Sequence, residues 1–192
     1  MRNGPYDLDI DTLRAHPHGI DFGALQPRIT EVLRTPSGMI EAFPPVIEMD
    51  LERLGGVLYA PPDQRLLLVG RRHLRSNNSW MHNLPVLVKG KARCTLQLHP
   101  DDAAAVGVVD GGAAQVESSA GQVVATVEVT DRIAPGTVSL PHGWGHPTSG
   151  GFGAVAAGAG GVNSNELTPT DVIDPLSGNA RLNAIPVSVH PA

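Results

Sequence analysis

Glycine and proline interrupt this chain so often that long, unbroken elements have nowhere to form. Twenty-two Gly and 17 Pro are spread through 192 residues. Each glycine frees the backbone to turn, and each proline removes an amide donor from helix or sheet. Only two Trp, two Tyr and three Phe are available as large core fillers. Many turns around a core of small aliphatic side chains is therefore expected, and a helical bundle is not. Hydrophobic residues make up 41% of the chain, enough for one buried core. No run approaches the ~18 apolar residues that a membrane-spanning helix requires. The start, Met1-Arg2-Asn3-Gly4-Pro5, lacks the apolar stretch of an export signal. A cytoplasmic protein with no membrane partner is expected. The single cysteine, Cys94, leaves no internal disulfide and no multi-Cys zinc or iron–sulfur site.

The first 63 residues read as an irregular arm. A helical turn or two is expected over 9–14, stopped by His16-Pro17-His18-Gly19, and Pro27, Pro36, Pro44, Pro45, Pro61 and Pro62 break up the rest of the arm. The apolar piece 29–33 is short, and 51–59 carries no clear pattern. From residue 64 the signals become those of strands. Residues 65–69 form a continuous apolar run, as in a strand buried on both faces. Strands are also expected over 84–88 and 92–98, with the turn Lys89-Gly90-Lys91 between them. His99 to Val106 reads as a short helix whose early acids, Asp101 and Asp102, suit its N-terminal dipole. Residues 115–118 and 123–129 alternate around Ala120-Gly121, a hairpin signal. Residues 137–140 and 185–189 complete six or seven short strands, the last one tolerating Pro186 in the manner of an edge. The expected fold is mainly β, a barrel or sandwich with minor helix.

Charge is informative by position. The formal net charge is −5, which argues against non-specific nucleic-acid binding. Residues 64–100 nevertheless contain no Asp or Glu, while holding Arg65, Arg71, Arg72, Arg75, Lys89, Lys91 and Arg93. A local positive surface on an acidic protein suits a phosphate-bearing ligand, although a plain solvated face accounts for the same charges.

Catalytic motifs are scarce. Gly151-Phe152-Gly153-Ala154-Val155-Ala156 fits G-x-G-x-x-A, with Asp171 twenty residues beyond Gly151. The adjoining Gly158, Gly160 and Gly161 deny it the helix that a dinucleotide fingerprint opens, so it reads as a glycine loop. His142 and His146 have metal-ligand spacing, but the surrounding Pro141, Gly143, Gly145 and Pro147 forbid the helix that would align them. Cys94 reads as a small core residue. No nucleophile elbow, P-loop or H-E-x-x-H is present. No catalytic residue and no metal ligand are assigned.

The polar loop Gly70-Arg71-Arg72-His73-Leu74-Arg75-Ser76-Asn77-Asn78-Ser79-Trp80-Met81-His82-Asn83 is different. Guanidinium forks, hydroxyls and amides come directly after a buried strand, a composition suited to gripping phosphate and hydrogen-bonding a heterocycle. Trp80 either stacks on a ligand or plugs the core.

Strand–Gly70-Arg71-Arg72, Ser76-Asn77-Asn78-Ser79-Trp80, His99-Pro100-x-Asp102-Ala103, Gly111-Gly112 and Pro135-Gly136 occur in a characteristic order. After them come Pro141-His142-Gly143-Trp144-Gly145-His146, Asn163-x-Asn165-x-Leu167-Thr168 and Asp174-Pro175-Leu176-Ser177-Gly178. This order resembles the C-terminal dinucleotide-binding domain of molybdopterin-dependent oxidoreductases, the formate dehydrogenase, nitrate reductase and dimethyl sulfoxide reductase relatives. The resemblance covers about residues 64–190 and leaves 1–63 as a connector. It implies a six-stranded double-psi β-barrel with short helices, binding molybdopterin guanine dinucleotide. It implies cofactor contacts from Gly70, Arg71, Arg72, Arg75, Ser76, Asn77, Asn78, Ser79, Trp80 and His82, completed by His142, Trp144, Asn163 and Asn165. It also implies that metal ligand and iron–sulfur motif belong to other domains or to a catalytic subunit, so this chain alone is not expected to turn over substrate. The competing class is a non-catalytic barrel subunit or protein-interaction module.

Overall fold

The computed structural model describes residues 6–61, 65–146 and 153–192. The chain divides into two units, 1–48 and 49–192. In the first, α1 (Ile10–Ala15) is capped by Asp9, whose carboxylate accepts from the Thr12 amide at 2.8 Å. A four-residue turn, α2 (Ile29–Val32), comes next. Tyr6 and Phe22 stack with ring centroids 4.2 Å apart. A 14-residue helix, α3 (Pro45–Leu58), begins in the first unit and continues into the second, where no clear sequence pattern marks one. Its proline occupies the first helical position, where the missing amide is harmless, and Gly55 and Gly56 interrupt the apolar period that would otherwise announce it.

The second unit is a closed barrel of six strands: β1 (Leu66–Arg71), β2 (Thr95–Leu98), β3 (Ala113–Glu117), β4 (Gln122–Val129), β5 (Thr137–Pro141) and β6 (Ile185–Pro191). The order around the barrel is β1-β5-β2-β4-β3-β6. Pairs β1–β5 and β2–β4 are parallel and the other four antiparallel. This is the mainly β, six-stranded barrel expected from the resemblance. Closure leaves no strand edge to template aggregation.

Alternation builds the core. Leu96 and Leu98 of β2, Val123, Ala125 and Val127 of β4, and Val187 and Val189 of β6 turn inward, while Val124 is exposed. A six-stranded interior is narrow, and Val, Leu and Ala fill it without aromatics, which accounts for the shortage of large rings. The β3–β4 hairpin turns where expected, Ser118 Oγ accepting from the Ala120 amide at 3.0 Å. Gly121 is required there: a Cβ would come within 2.8 Å of the Glu166 carbonyl oxygen. The helix α5 (Pro100–Val106) forms as anticipated. His99 caps it and Gly107 ends it in the left-handed region at φ 75. Asp102 also accepts from the Gly136 amide at 2.8 Å, pinning the turn before β5.

Three expectations need correction. Residues 84–88 are not a strand: they form a helical turn, α4 (Pro85–Val88), because Pro85 sits at its first position and Leu84 supplies the carbonyl for the Leu87 and Val88 amides. The strand expected over 92–98 begins only at Thr95. Pro186 is not on an edge. It pairs with Leu67 of β1, and β3 pairs only with residues 188–191, so no neighbour asks for its missing amide. Of the glycine loop, Gly151 and Phe152 lie outside the described residues. A four-residue helix, α6 (Ala154–Ala157), does open after Gly153 but stops at Gly158. A 3-10 turn, Ser164–Leu167, comes after it. No helix among the described residues is long and apolar enough to cross a membrane.

Candidate functional site

Barrel topology gathers the polar loops at one rim. Parallel β1 and β5 end side by side, Arg71 opposite Pro141, so the loops beginning at Arg72 and His142 leave the barrel together. Strand β6 runs antiparallel to β1, with Ile185 opposite Leu68, which brings the preceding Asn183 to the same rim. A cavity of about 440 Å3 opens there, within the ~300–1,000 Å3 span of small-molecule sites. Leu68, Leu140 and Ile185 form its apolar base, and Arg72, Asn78, His142, Ser164, Asn165, Thr168 and Asn183 supply polar walls.

The loop after β1 is shaped by its own hydrogen bonds. Ser76 is buried, its hydroxyl donating to the His73 carbonyl at 3.0 Å, and its own carbonyl accepts from the Met81 amide at 3.1 Å. Asn77 and Asn78 take left-handed backbone, φ 42 and 60, a conformation asparagine tolerates better than most residues. Gly143, φ 84, lets the second loop press against the first: a Cβ there would lie 2.6 Å from the Asn78 carbonyl. Only glycine fits.

Three side chains converge on the cavity. Asn78 Oδ1 accepts from Arg72 Nη1 in a short hydrogen bond and from His142 Nε2 at 2.7 Å. Arg72 Nη1 and His142 Nε2 lie 3.2 Å apart because both donate to that one oxygen. Burial, and then the charge of Arg72, hold the His142 imidazole below its ordinary pKa. Near neutral pH the cluster thus presents one guanidinium and a neutral imidazole that an arriving anion would help to protonate. Across the mouth, Asn183 Oδ1 accepts from the Gly70 amide at 2.8 Å.

The remaining anticipated residues divide into other roles. Arg71 reaches away from the cavity, Nη1 donating to the Ser139 carbonyl at 2.9 Å and Nη2 to the Thr95 carbonyl at 2.8 Å. Arg75 donates to the Val86 carbonyl at 2.6 Å and lines a small crevice with His73, Arg93 and Trp144. Ser79 lies where the two loops touch, its amide nitrogen 3.0 Å from the Cβ position at Gly143. Trp80 is 83% exposed, so it is not a core plug. His82 is 1% exposed, with Nδ1 hydrogen-bonded to His146 Nε2 at 2.6 Å. The Trp144 ring lies 4.2 Å from that of His82. Burial, with His146 and His73 adding to it, pushes the His82 pKa down. Among the described residues, His82 Nε2 and Trp144 Nε1 are buried and meet no hydrogen-bond partner. Asn163 caps the 3-10 turn, accepting from the Asn165 amide at 3.1 Å, and borders a second, shallower hollow beside His146 and Gln122. Cys94 is buried, accepting from the Val162 amide at 3.3 Å, and burial raises its thiol pKa. Among the described residues no group of three or more His, Cys, Asp or Glu is placed to hold a metal.

Asn183 and Ser164 were not anticipated. Asn183 is 113 residues from its partner Gly70, and no local pattern marks it. Gly143 and Thr168 stand within the recognised motifs, and only the packing shows why each matters.

Residues 66–186 match the molydopterin dinucleotide binding domain family. The chain belongs to that family. The domain is 32% identical over 130 residues to trimethylamine-N-oxide reductase of Haemophilus influenzae, covering 60% of this chain and 16% of that protein. It is 32% identical over 136 residues to dimethyl sulfoxide/trimethylamine N-oxide reductase of Rhodobacter capsulatus, with the same coverage. With the NADPH-Fe(3+) oxidoreductase subunit alpha of Geobacter sulfurreducens it shares 31% identity over 131 residues, 63% of this chain and 14% of that one. The chain thus spans about a seventh of the curated relatives it matches. Among solved structures, acetylene hydratase from Pelobacter acetylenicus superposes with a TM-score of 0.57 at 24% identity, covering 74% of this chain and 19% of that one.

The ligand class of such a domain is a molybdopterin cofactor, and the donor set fits it. A guanidinium and an imidazole suit phosphate oxygens. Amides and hydroxyls from Asn78, Asn165, Asn183, Ser164 and Thr168 suit the edges of a heterocycle.

Proposed function

We propose that this domain binds the guanine dinucleotide form of molybdopterin at the rim cavity and serves as the C-terminal cofactor-binding part of a molybdenum-dependent oxidoreductase. The observation that carries the reading is the convergence of Arg72, Asn78 and His142, from two loops, on one polar-walled cavity with an apolar base. Arg72 would meet phosphate oxygens, His142 would take up a proton as the anion arrives, and Asn165, Thr168 and Asn183 would fix the heterocycle. When bound, the molybdopterin supplies a metal centre that exchanges electrons or an oxygen atom with substrate. This chain's part is to hold and orient that group, and the turnover machinery lies on other domains or a catalytic subunit. The reductase names of the relatives support the oxidoreductase assignment, and the buried, lone Cys94 fits a reducing cytoplasm.

Calorimetry at low salt tests it, using GDP, CDP and released molybdopterin guanine dinucleotide. GDP and the full cofactor are expected to bind, CDP more weakly, with Arg72→Ala reducing affinity at least about tenfold. Equal affinity in Arg72→Ala, or no binding of either guanine ligand, would reject the site. A second reading, a non-catalytic barrel that docks a protein partner, is favoured by the exposure of Trp80 and by Leu74 at 97%. It predicts that no nucleotide binds.

A further inference from the structure

We infer that Arg71 is a positioning residue, setting Arg72 and His142 at the cavity through a belt of hydrogen bonds that crosses four strands. The inference rests on the cofactor reading above. It begins with strand alternation: Leu68, Gly70 and Arg72 all line the cavity, so Arg71 belongs to the other face of β1. There its fork is engaged with protein acceptors. Nη1 donates to the Ser139 carbonyl on β5, and Nη2 donates to Thr95 on β2, to the carbonyl at 2.8 Å and to Oγ1 at 3.1 Å. Thr95 Oγ1 passes the chain onward, donating to Glu128 Oε2 on β4. The other carboxylate oxygen, Oε1, accepts from Gln97 Nε2 at 3.1 Å and Arg132 Nη2 at 3.2 Å. The belt therefore runs β1, β5, β2, β4, the order of the strands around the barrel.

This belt ends where the cavity begins. The Arg71 carbonyl accepts from the His142 amide at 3.2 Å, so fixing Arg71 fixes the first residue of the second loop as well as the strand position before Arg72. The side chains of those two residues then meet on Asn78 Oδ1. Charge is kept inside the belt. Burial lowers the Arg71 pKa, yet a guanidinium stays protonated. Burial pulls Glu128 upward, but hydrogen bonds from Thr95 and Gln97 and the charges of Arg71 and Arg132 outweigh it and hold the carboxyl below its ordinary value. Lysine cannot replace this arrangement, because one ammonium lacks the planar fork that reaches two strands at once.

The test pairs GDP binding with NMR titration of His142, in the full chain. Arg71→Lys keeps the charge and breaks the fork. It is expected to weaken GDP about fivefold in the wild-type background and to have no further effect when Arg72 is already alanine, the non-additivity of residues acting as a unit. Thr95→Val, neutral and away from the cavity, should weaken GDP in the same direction and serves if Arg71→Lys folds poorly. In the ligand-free protein, Arg71→Lys or Thr95→Val should raise the His142 pKa toward its ordinary value, since Arg72 is no longer held against it. Additive losses in the double variant, full rescue by lysine, or an unmoved His142 titration in folded protein would overturn the inference. If wild type fails to bind GDP, the cofactor reading falls, and the His142 titration still decides whether Arg71 positions the cluster.

Discussion

The two loops that leave the barrel after β1 and β5 meet twice, and the two meetings differ in kind. At the cavity, Arg72, Asn78 and His142 share one amide oxygen in partly exposed surroundings. Behind it, His82, Trp144 and His146 pack ring against ring, with His82 almost wholly buried. The first cluster has its charge and polar groups on the wall of the cavity. The second has aromatic area and one short hydrogen bond turned toward its own fold. One pair of loops thus carries the face proposed for recognition and a locking face, and a histidine alone does not tell which is which. Burial does.

That contrast is breakable, beginning with the contact on which both faces depend. Gly143→Ala puts a side chain at φ 84 and into the Asn78 backbone, and should destabilise the barrel by about 3 kcal/mol in denaturant unfolding while abolishing GDP binding. His82→Ala empties the locking cluster and should cost about 2–3 kcal/mol. Its effect on ligand affinity should be small in whatever fraction stays folded. Arg72→Ala should do the reverse, leaving stability within about 0.5 kcal/mol while removing at least about a factor of ten in affinity.

The smallest effect is in pH. His73, His82 and His142 all have folded-state pKa values below the ordinary histidine value. The unfolded chain therefore binds protons first on acidification, so stability is fullest above about pH 6.5 and declines as pH falls through the folded values. A melting curve followed from neutral to acid should show that decline, flattened in His82→Phe. Ligand binding should run the other way, GDP binding more tightly as acidification protonates His142, and His142→Ala removing the trend.

The barrel was largely legible because strand alternation and turn residues are local signals. The β3–β4 hairpin, β5 and the capped helix at His99 each announce themselves within ten residues or so. Residues 84–88 deceive because Leu-Pro-Val-Leu-Val is apolar enough for a strand, and only Pro85 at a helix start decides otherwise. Site membership was legible as a set of loops and less so as individual side chains. Arg71 and Arg72 are adjacent and chemically identical, and the two-residue period of β1 separates them, a signal present in the sequence once Leu68 is taken as inward. Asn183 had no such signal, since its role comes from barrel closure.

Residue-resolved NMR during titration with released molybdopterin guanine dinucleotide tests the division most directly. Large shifts at Arg72, Asn78 and His142, with the His82 ring and the Trp144 indole N–H nearly still, are the predicted result. Shifts centred on His82 and Trp144, with the cavity cluster unmoved, would contradict it.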